Sequence, residues 1–243
     1  MNTNLKTFAA IASLVALSTF TANTAIAAAN TSPTSWELAG EFHPTANPNP
    51  TGVWSYGTKL GSTCNTSWSP MTHTFLQGPL RGHAGIAAGT GPQVPAIYHN
   101  RLLASHTSGS VTWAPRAVAM HPGPGGECAV VRFKAPTAGF YQVSGQFYGL
   151  DGNGTGTNVN VHVMYNKGTT VTFHSAVVKV IGGNRMSSFR KTGIYLVSGE
   201  SFDFAVEMNG SYFYDTTGLH AVVELDPYAC GPTNPADPTT TTC

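Results

Sequence analysis

Apolar and polar residues alternate with a period of two through most of the chain beyond residue 138. In GFYQVSGQFYGL (139–150), Tyr141, Val143, Gly145 and Phe147 fall on one side and Gln142, Ser144, Gln146 and Tyr148 on the other. In NVNVHVMY (158–165), Val159, Val161, Val163 and Tyr165 oppose Asn160, His162 and Met164. In SFDFAVEM (201–208), Phe202, Phe204 and Val206 are set to face inward, with Asp203, Ala205 and Glu207 outward. TVTFHSAVVKV (170–180) and GLHAVVEL (218–225) continue the series. The turn signals APTAG (135–139), NKG (166–168), IGGN (181–184) and VSGE (197–200) divide these runs. Half-buried strands with a turn every ten residues or so predict an antiparallel β-sandwich.

The stretch 54–126 is harder to divide. It holds Trp68, Tyr98 and Trp113, and GSVTWAP (109–115) reads as a strand; the rest is expected as long loops over one end of the sandwich. ACGPTNPADPTTTTC (229–243) reads as a Pro/Thr-rich tail. At the other end, Lys6, a short apolar run from Phe8 to Leu17 and the small residues Ala25-Ile26-Ala27 match a secretory signal peptide, with cleavage expected near Ala27 or Ala29. The expected organisation is a signal peptide at 1–28, a β-sandwich domain at 29–228 and the tail at 229–243. No later apolar run is long enough to span a bilayer, so an extracellular protein is expected, with the periplasm or the cell surface as alternatives.

Composition narrows the function. Only 9% of the 243 residues are charged, with 12 basic against 11 acidic. Such a chain offers no electrostatic footprint for nucleic acid. Four cysteines in an exported chain imply disulfides, with three possible pairings. Cys64–Cys128 and Cys230–Cys243 are expected, the second closing the tail. No C-x-x-C pair points to zinc.

Three segments together resemble a family of bacterial extracellular β-sandwich domains: NPNPTGVWSYG (47–57), MHPGPGGECAVVRFKAPTAGFYQVSGQFYGLD (120–151) and SFDFAVEMNGSYFYDTTGLHAVVEL (201–225). Domains of this type look like jelly-roll carbohydrate-binding modules. The resemblance covers roughly residues 36–226 and implies a jelly roll with a glycan or another cell-surface component as partner. Two features depart from it. A C-terminal hydrophobic sorting helix is missing, and Cys128 stands where a tyrosine is more usual, which fits a disulfide particular to this chain.

The sequence has no G-x-S-x-G elbow, H-E-x-x-H pair or P-loop. Asp203 and Glu207 share a strand face but stand about 13 Å apart, too far for a glycosidase pair by themselves. His162, His174 and His220 lie on strands without ligand spacing, and His121 reads as a turn residue bonded to backbone. Asp151-x-Asn153-x-Thr155-Gly156-Thr157 copies the first half of an EF-hand loop, but His162 occupies the twelfth position. This loop is either a turn of Asx and glycine residues or a structural calcium site of Asp151 and Asn153 completed by Asp215.

Sugar binding calls for exposed rings that stack on a pyranose, with polar side chains beside them. The ligand-binding candidates are Trp54, Tyr56, Trp113, Tyr148, Asn153, Tyr212 and Tyr214. Trp36 is expected in the core. The leading expectation is a secreted, non-catalytic sandwich that binds carbohydrate or another extracellular component. A structural or adhesive protein that self-associates is the alternative, and a polysaccharide hydrolase a weaker one.

Overall fold

The computed structural model describes residues 34–85, 94–152, 158–179 and 185–226, together with the backbone of two short strands at 231–234 and 237–242. The expected signal peptide, Asn153, Cys230 and Cys243 lie outside the described residues. Within them every regular element is a strand. The N-terminal half holds β1 (Ser35–Glu37), β2 (Trp54–Leu60), β3 (Ser69–Pro70), β4 (His73–Gln77), β5 (Leu80–Ala84), β6 (Ala96–Asn100), β7 (His106–Ser108) and β8 (Val111–Trp113). There follow β9 (Val118–His121), β10 (Glu127–Lys134), β11 (Gly139–Gly149), β12 (Asn158–Lys167), β13 (Thr169–Lys179), β14 (Met186–Leu196), β15 (Ser201–Met208) and β16 (Thr217–Asp226). β17 (Gly231–Asn234) and β18 (Asp237–Thr242) form a separate antiparallel pair.

The strand order identifies the architecture. One sheet runs β14-β11-β16-β9-β6-β5-β4, with β1 also on β16; the other runs β13-β12-β15-β10-β2-β3. From β9 to β16 the chain changes sheet at every step except the β12–β13 hairpin. The neighbours β9 with β16, β10 with β15, β11 with β14 and β12 with β13 are successive pairs along one antiparallel double ribbon. A ribbon of eight strands wound over two facing sheets is a jelly roll.

The expected alternation holds. Tyr141, Val143, Phe147, Val159, Val161, Val163, Phe202, Phe204 and Val206 all belong to the core between the sheets. Trp36 joins them, its ring against Phe133 at 5.3 Å. The stretch read as loop-rich keeps long connections, notably 61–68, but also carries short strands. Here β2 and β3 extend one sheet beyond β10, and β6, β5 and β4 extend the other beyond β9.

Some of these connections cover the outer faces. The 61–68 segment lies across the β2–β10–β15 sheet and is held by the Cys64–Cys128 disulfide, with Cα atoms 5.9 Å apart. Beneath it Val130, Met164 and Ala205 are fully buried, although alternation points them away from the core. Trp68 packs over Gly57, where a Cβ would overlap the indole. Arg132 stacks on that ring at 4.7 Å and makes a two-pronged contact with Asp203, at 2.6 and 2.8 Å. Lys59 Nζ reaches the same carboxylate at 2.8 Å. Asp203, though outward by alternation, thus becomes the centre of a buried ion triad.

Candidate functional site

The aromatic candidates divide by burial. Trp54 and Tyr56 are both 0% exposed. They share the inward face of β2, where Trp54 meets Phe133 edge-on at 5.2 Å and Tyr56 stacks on His83 at 4.4 Å. Trp113, in the β7–β8 hairpin, is buried on the outer face of the first sheet with Leu80, Ala117, Ala119 and Leu150. A ring with no free face cannot stack on a sugar. These three residues are therefore packing residues, contrary to the expectation from sequence. The reason is that Trp54 and Tyr56 face the first sheet across the core, while Trp113 is the hairpin residue that packs down on the outer face of that sheet.

Tyr148, Tyr212 and Tyr214 keep accessible surface. Tyr148 lies opposite Gly218 on β16. Its ring covers that glycine so closely that a Cβ there would fall within the ring's van der Waals envelope. Tyr148 also lines a groove of about 240 Å³ with Glu37, Arg116 and His220. Tyr212 is half-buried against Phe75, Ala84, Val94 and Ala96, with Phe213 at 4.3 Å. Phe213 is 58% exposed and Tyr214 43%. Tyr214 has a φ of 62°, an uncommon left-handed conformation for a side chain of this size. That turn separates the exposed Tyr214 from the buried Asp215.

Strand register brings these residues to one end of the molecule. Gly149 pairs with Thr217, and Thr217 with Met120. The ends of β9 and β11 thus meet the start of β16, and the loop 209–216 between β15 and β16 arrives there. His121 packs against Tyr212 at 6.3 Å and is hydrogen-bonded through Nδ1 to the Pro122 carbonyl at 2.8 Å; it bonds to backbone as read, but as the last residue of β9, paired with Ala96, and not in a turn. Burial lowers its pKa, so the ring is neutral at neutral pH.

Asp151 and Asp215 meet at this end. They are 3% and 0% exposed. Burial, and then the charge of Asp151, push the Asp215 carboxyl up to about 8. The backbone around them is fixed from several sides. Leu150 N–H donates to Thr216 O at 3.0 Å and Gly152 N–H to Ser110 O at 2.6 Å, while Thr217 Oγ1 donates to Asp215 O at 3.0 Å. Asn153, the third expected ligand, lies outside the described residues.

Glu207, His162 and His174 are engaged in contacts within their own surroundings. Glu207 accepts from Asn160 at 3.0 Å and lies 3.6 Å from His162. His162 is hydrogen-bonded to Ser175 and His174 to Ser187, whereas His220 stands on the other sheet. Among the described residues no three His, Cys, Asp or Glu side chains gather to hold a metal ion. The sequence reading missed Arg116, Glu37 and Phe213. Phe213 lies between two of the candidate tyrosines, while the groove residues come from four separated segments and leave no local signal.

No protein-family model and no curated protein matches the chain. Solved structures give remote similarities. TmCBM61 in complex with β-1,4-galactotriose is 14% identical, over 61% of this chain and 90% of that one, with a TM-score of 0.31. A family 35 carbohydrate binding module from Clostridium thermocellum is 17% identical over 53% and 97%, with a TM-score of 0.22. Eiger TNF from S. frugiperda is 13% identical over 73% and 98%, again with a TM-score of 0.22.

Proposed function

We propose that this protein is a secreted, non-catalytic β-sandwich that binds neutral carbohydrate through the end of the fold where Tyr148, Tyr212, Phe213 and Tyr214 stand. The observation that supports this reading most directly is the sorting of the aromatic candidates. Those that keep an accessible face all lie where β9, β11 and β16 meet the 209–216 loop. Exposed rings offer flat apolar surface to a pyranose, and Arg116, Glu37 and His220 in the adjoining groove offer donors and acceptors for hydroxyls. The Asp151–Asp215 pair does not suit glycoside hydrolysis. A general acid must touch the glycosidic oxygen, and neither carboxyl has appreciable accessible surface.

The test is a glycan array on the mature protein followed by calorimetry on its hits. Binding of a neutral oligosaccharide, weakened at least about tenfold by Tyr148→Ala or Tyr214→Ala, a loss of about 1.4 kcal/mol, is the expected result. Affinity should change little with salt. No ligand at high micromolar concentration, or hits indifferent to both substitutions, contradicts the reading.

One observation favours self-association as a second reading. Among the described residues β13 pairs on one side only, with β12. It is 11 residues long, carries exposed Val171 and Val177, and has a single charge, Lys179. An edge this long and this poor in charge is a template for strand addition. Light scattering that finds only monomer at high concentration rules this second reading out.

A further inference from the structure

Asp215 has no accessible surface, and neither of its carboxylate oxygens has a hydrogen-bond partner. Buried carboxylates are normally paired or ligate a metal. Among the described residues no basic side chain reaches either oxygen of Asp215. A proton shared between Asp215 and a neighbouring carboxylate is the alternative to a bound cation, and the response to calcium separates the two. Gly149 pairs with Thr217 and Leu150 N–H donates to Thr216 O at 3.0 Å, which sets Asp151 opposite Asp215. Two acids drawn together in a low-polarity setting repel each other unless a shared proton or a cation lies between them.

We propose that Asp151 and Asp215 are two carboxylate ligands of a calcium ion that fastens the loop between β15 and β16 to the end of β11. The remaining ligands are neutral oxygens, since no third acid, histidine or cysteine gathers with them among the described residues. Calcium accepts such a set: it takes six to eight oxygens, backbone carbonyls included, in flexible geometry. Zinc prefers nitrogen and sulfur ligands, and magnesium requires a near-ideal octahedron and keeps much of its water. Two carboxylates match the double charge of the ion in a chain otherwise poor in charge. Bound calcium would hold Tyr214 where its left-handed backbone turns it outward, while Asp215 points in.

The test compares melting of the mature protein at about pH 8.5, where carboxylate ligands are ionised, in EDTA and in calcium chloride. Extracellular calcium modules have dissociation constants of about 0.1–1 mM. About 10 mM calcium should therefore raise the melting temperature of a domain this size by about 3–10 °C. Magnesium should give a smaller shift, and calorimetry should show one ion per chain. Asp151→Asn should lose the calcium shift. Asp215→Asn should lose it too and melt above wild type in EDTA, because it removes a buried charge with no partner. Identical wild-type melting in EDTA and calcium, an equal shift with magnesium, or an Asp215→Asn protein that keeps the wild-type response would each overturn the proposal. The inference does not depend on glycan binding, and no sugar enters this readout, so either reading can fail alone.

Discussion

Replacing Asp203 by Asn should destabilise the fold more than any other change of similar size on the outer face of its sheet. The carboxylate accepts from Arg132 at 2.6 and 2.8 Å and holds Lys59 Nζ at 2.8 Å. Side-chain exposure is 0% for Asp203, 2% for Lys59 and 19% for Arg132. The amide keeps the shape but not the charge, which leaves Lys59 buried without compensation. Breaking a buried ion pair from one side costs about 3–5 kcal/mol, and each kcal/mol moves the melting point of a domain this size by about 2–4 °C. Asp203→Asn should therefore lower the melting temperature by about 6–20 °C at neutral pH, with a matching fall in the urea midpoint. The acid limb gives a second check. Burial opposes ionisation of Asp203, but the hydrogen bonds of Arg132 and the charges of Arg132 and Lys59 outweigh it and hold the carboxyl below its usual value. A carboxyl depressed in the fold contributes stability above its unfolded pKa and loses it as pH falls through the folded one. The gap between wild type and variant should thus be full at neutral pH and narrow below about pH 4. A loss under about 1 kcal/mol at neutral pH would refute the account of the triad, because an exposed pair contributes no more than that.

The remaining predictions concern the packing that supports the proposed site. Gly218→Ala puts a methyl group where the Tyr148 ring lies; it should weaken glycan binding while the fold survives, and unchanged affinity with unchanged Tyr148 resonances would count against the placement of that ring. Trp113→Ala should cost about 3–5 kcal/mol in urea unfolding with glycan affinity preserved, because Trp113 packs rather than binds; the opposite pattern would restore it to the binding surface. Removing the disulfide with Cys64→Ala and Cys128→Ala opens a loop with a sequence separation of 64, for which chain entropy gives about 4 kcal/mol; no change in the urea midpoint would show that the 61–68 segment is held by its other contacts.

The long strands β11, β12, β13, β15 and β16 were legible because each has enough residues for alternation to show, whereas β14, with Arg190 and Lys191 at its centre, was not. Phe202, Phe204 and Val206 and the Val159, Val161, Val163 series point inward as read. Cys64–Cys128 forms as expected. Apart from β8, which lies within GSVTWAP as read, most N-terminal strands were not legible, for physical reasons. They have two to seven residues, and β4 offers mostly exposed side chains while β5 carries Gly82 at its centre. The site was half legible. Alternation places Trp54 and Tyr56 together on one face of β2 but does not say which face is covered. It also treats the outer face of a sheet as open, whereas the 61–68 segment and the β7–β8 hairpin cover parts of both outer faces, burying Asp203, Met164 and Trp113. The run from Tyr212 to Tyr214 fared better, since a stretch of consecutive aromatics must turn at least one ring outward. The pairing of Asp151 with Asp215 depends on the long-range register of β11 with β16, which no local pattern records.

The central claim is tested most directly by titrating isotope-labelled mature protein with the oligosaccharide that binds best and mapping the shifted amide resonances. The account predicts that shifts concentrate at Tyr148, Gly218 and 212–215, where β11 and β16 meet the aromatic loop. Shifts centred instead on the Trp68–Arg132 surface or along β13, or no shifts at all, would contradict it.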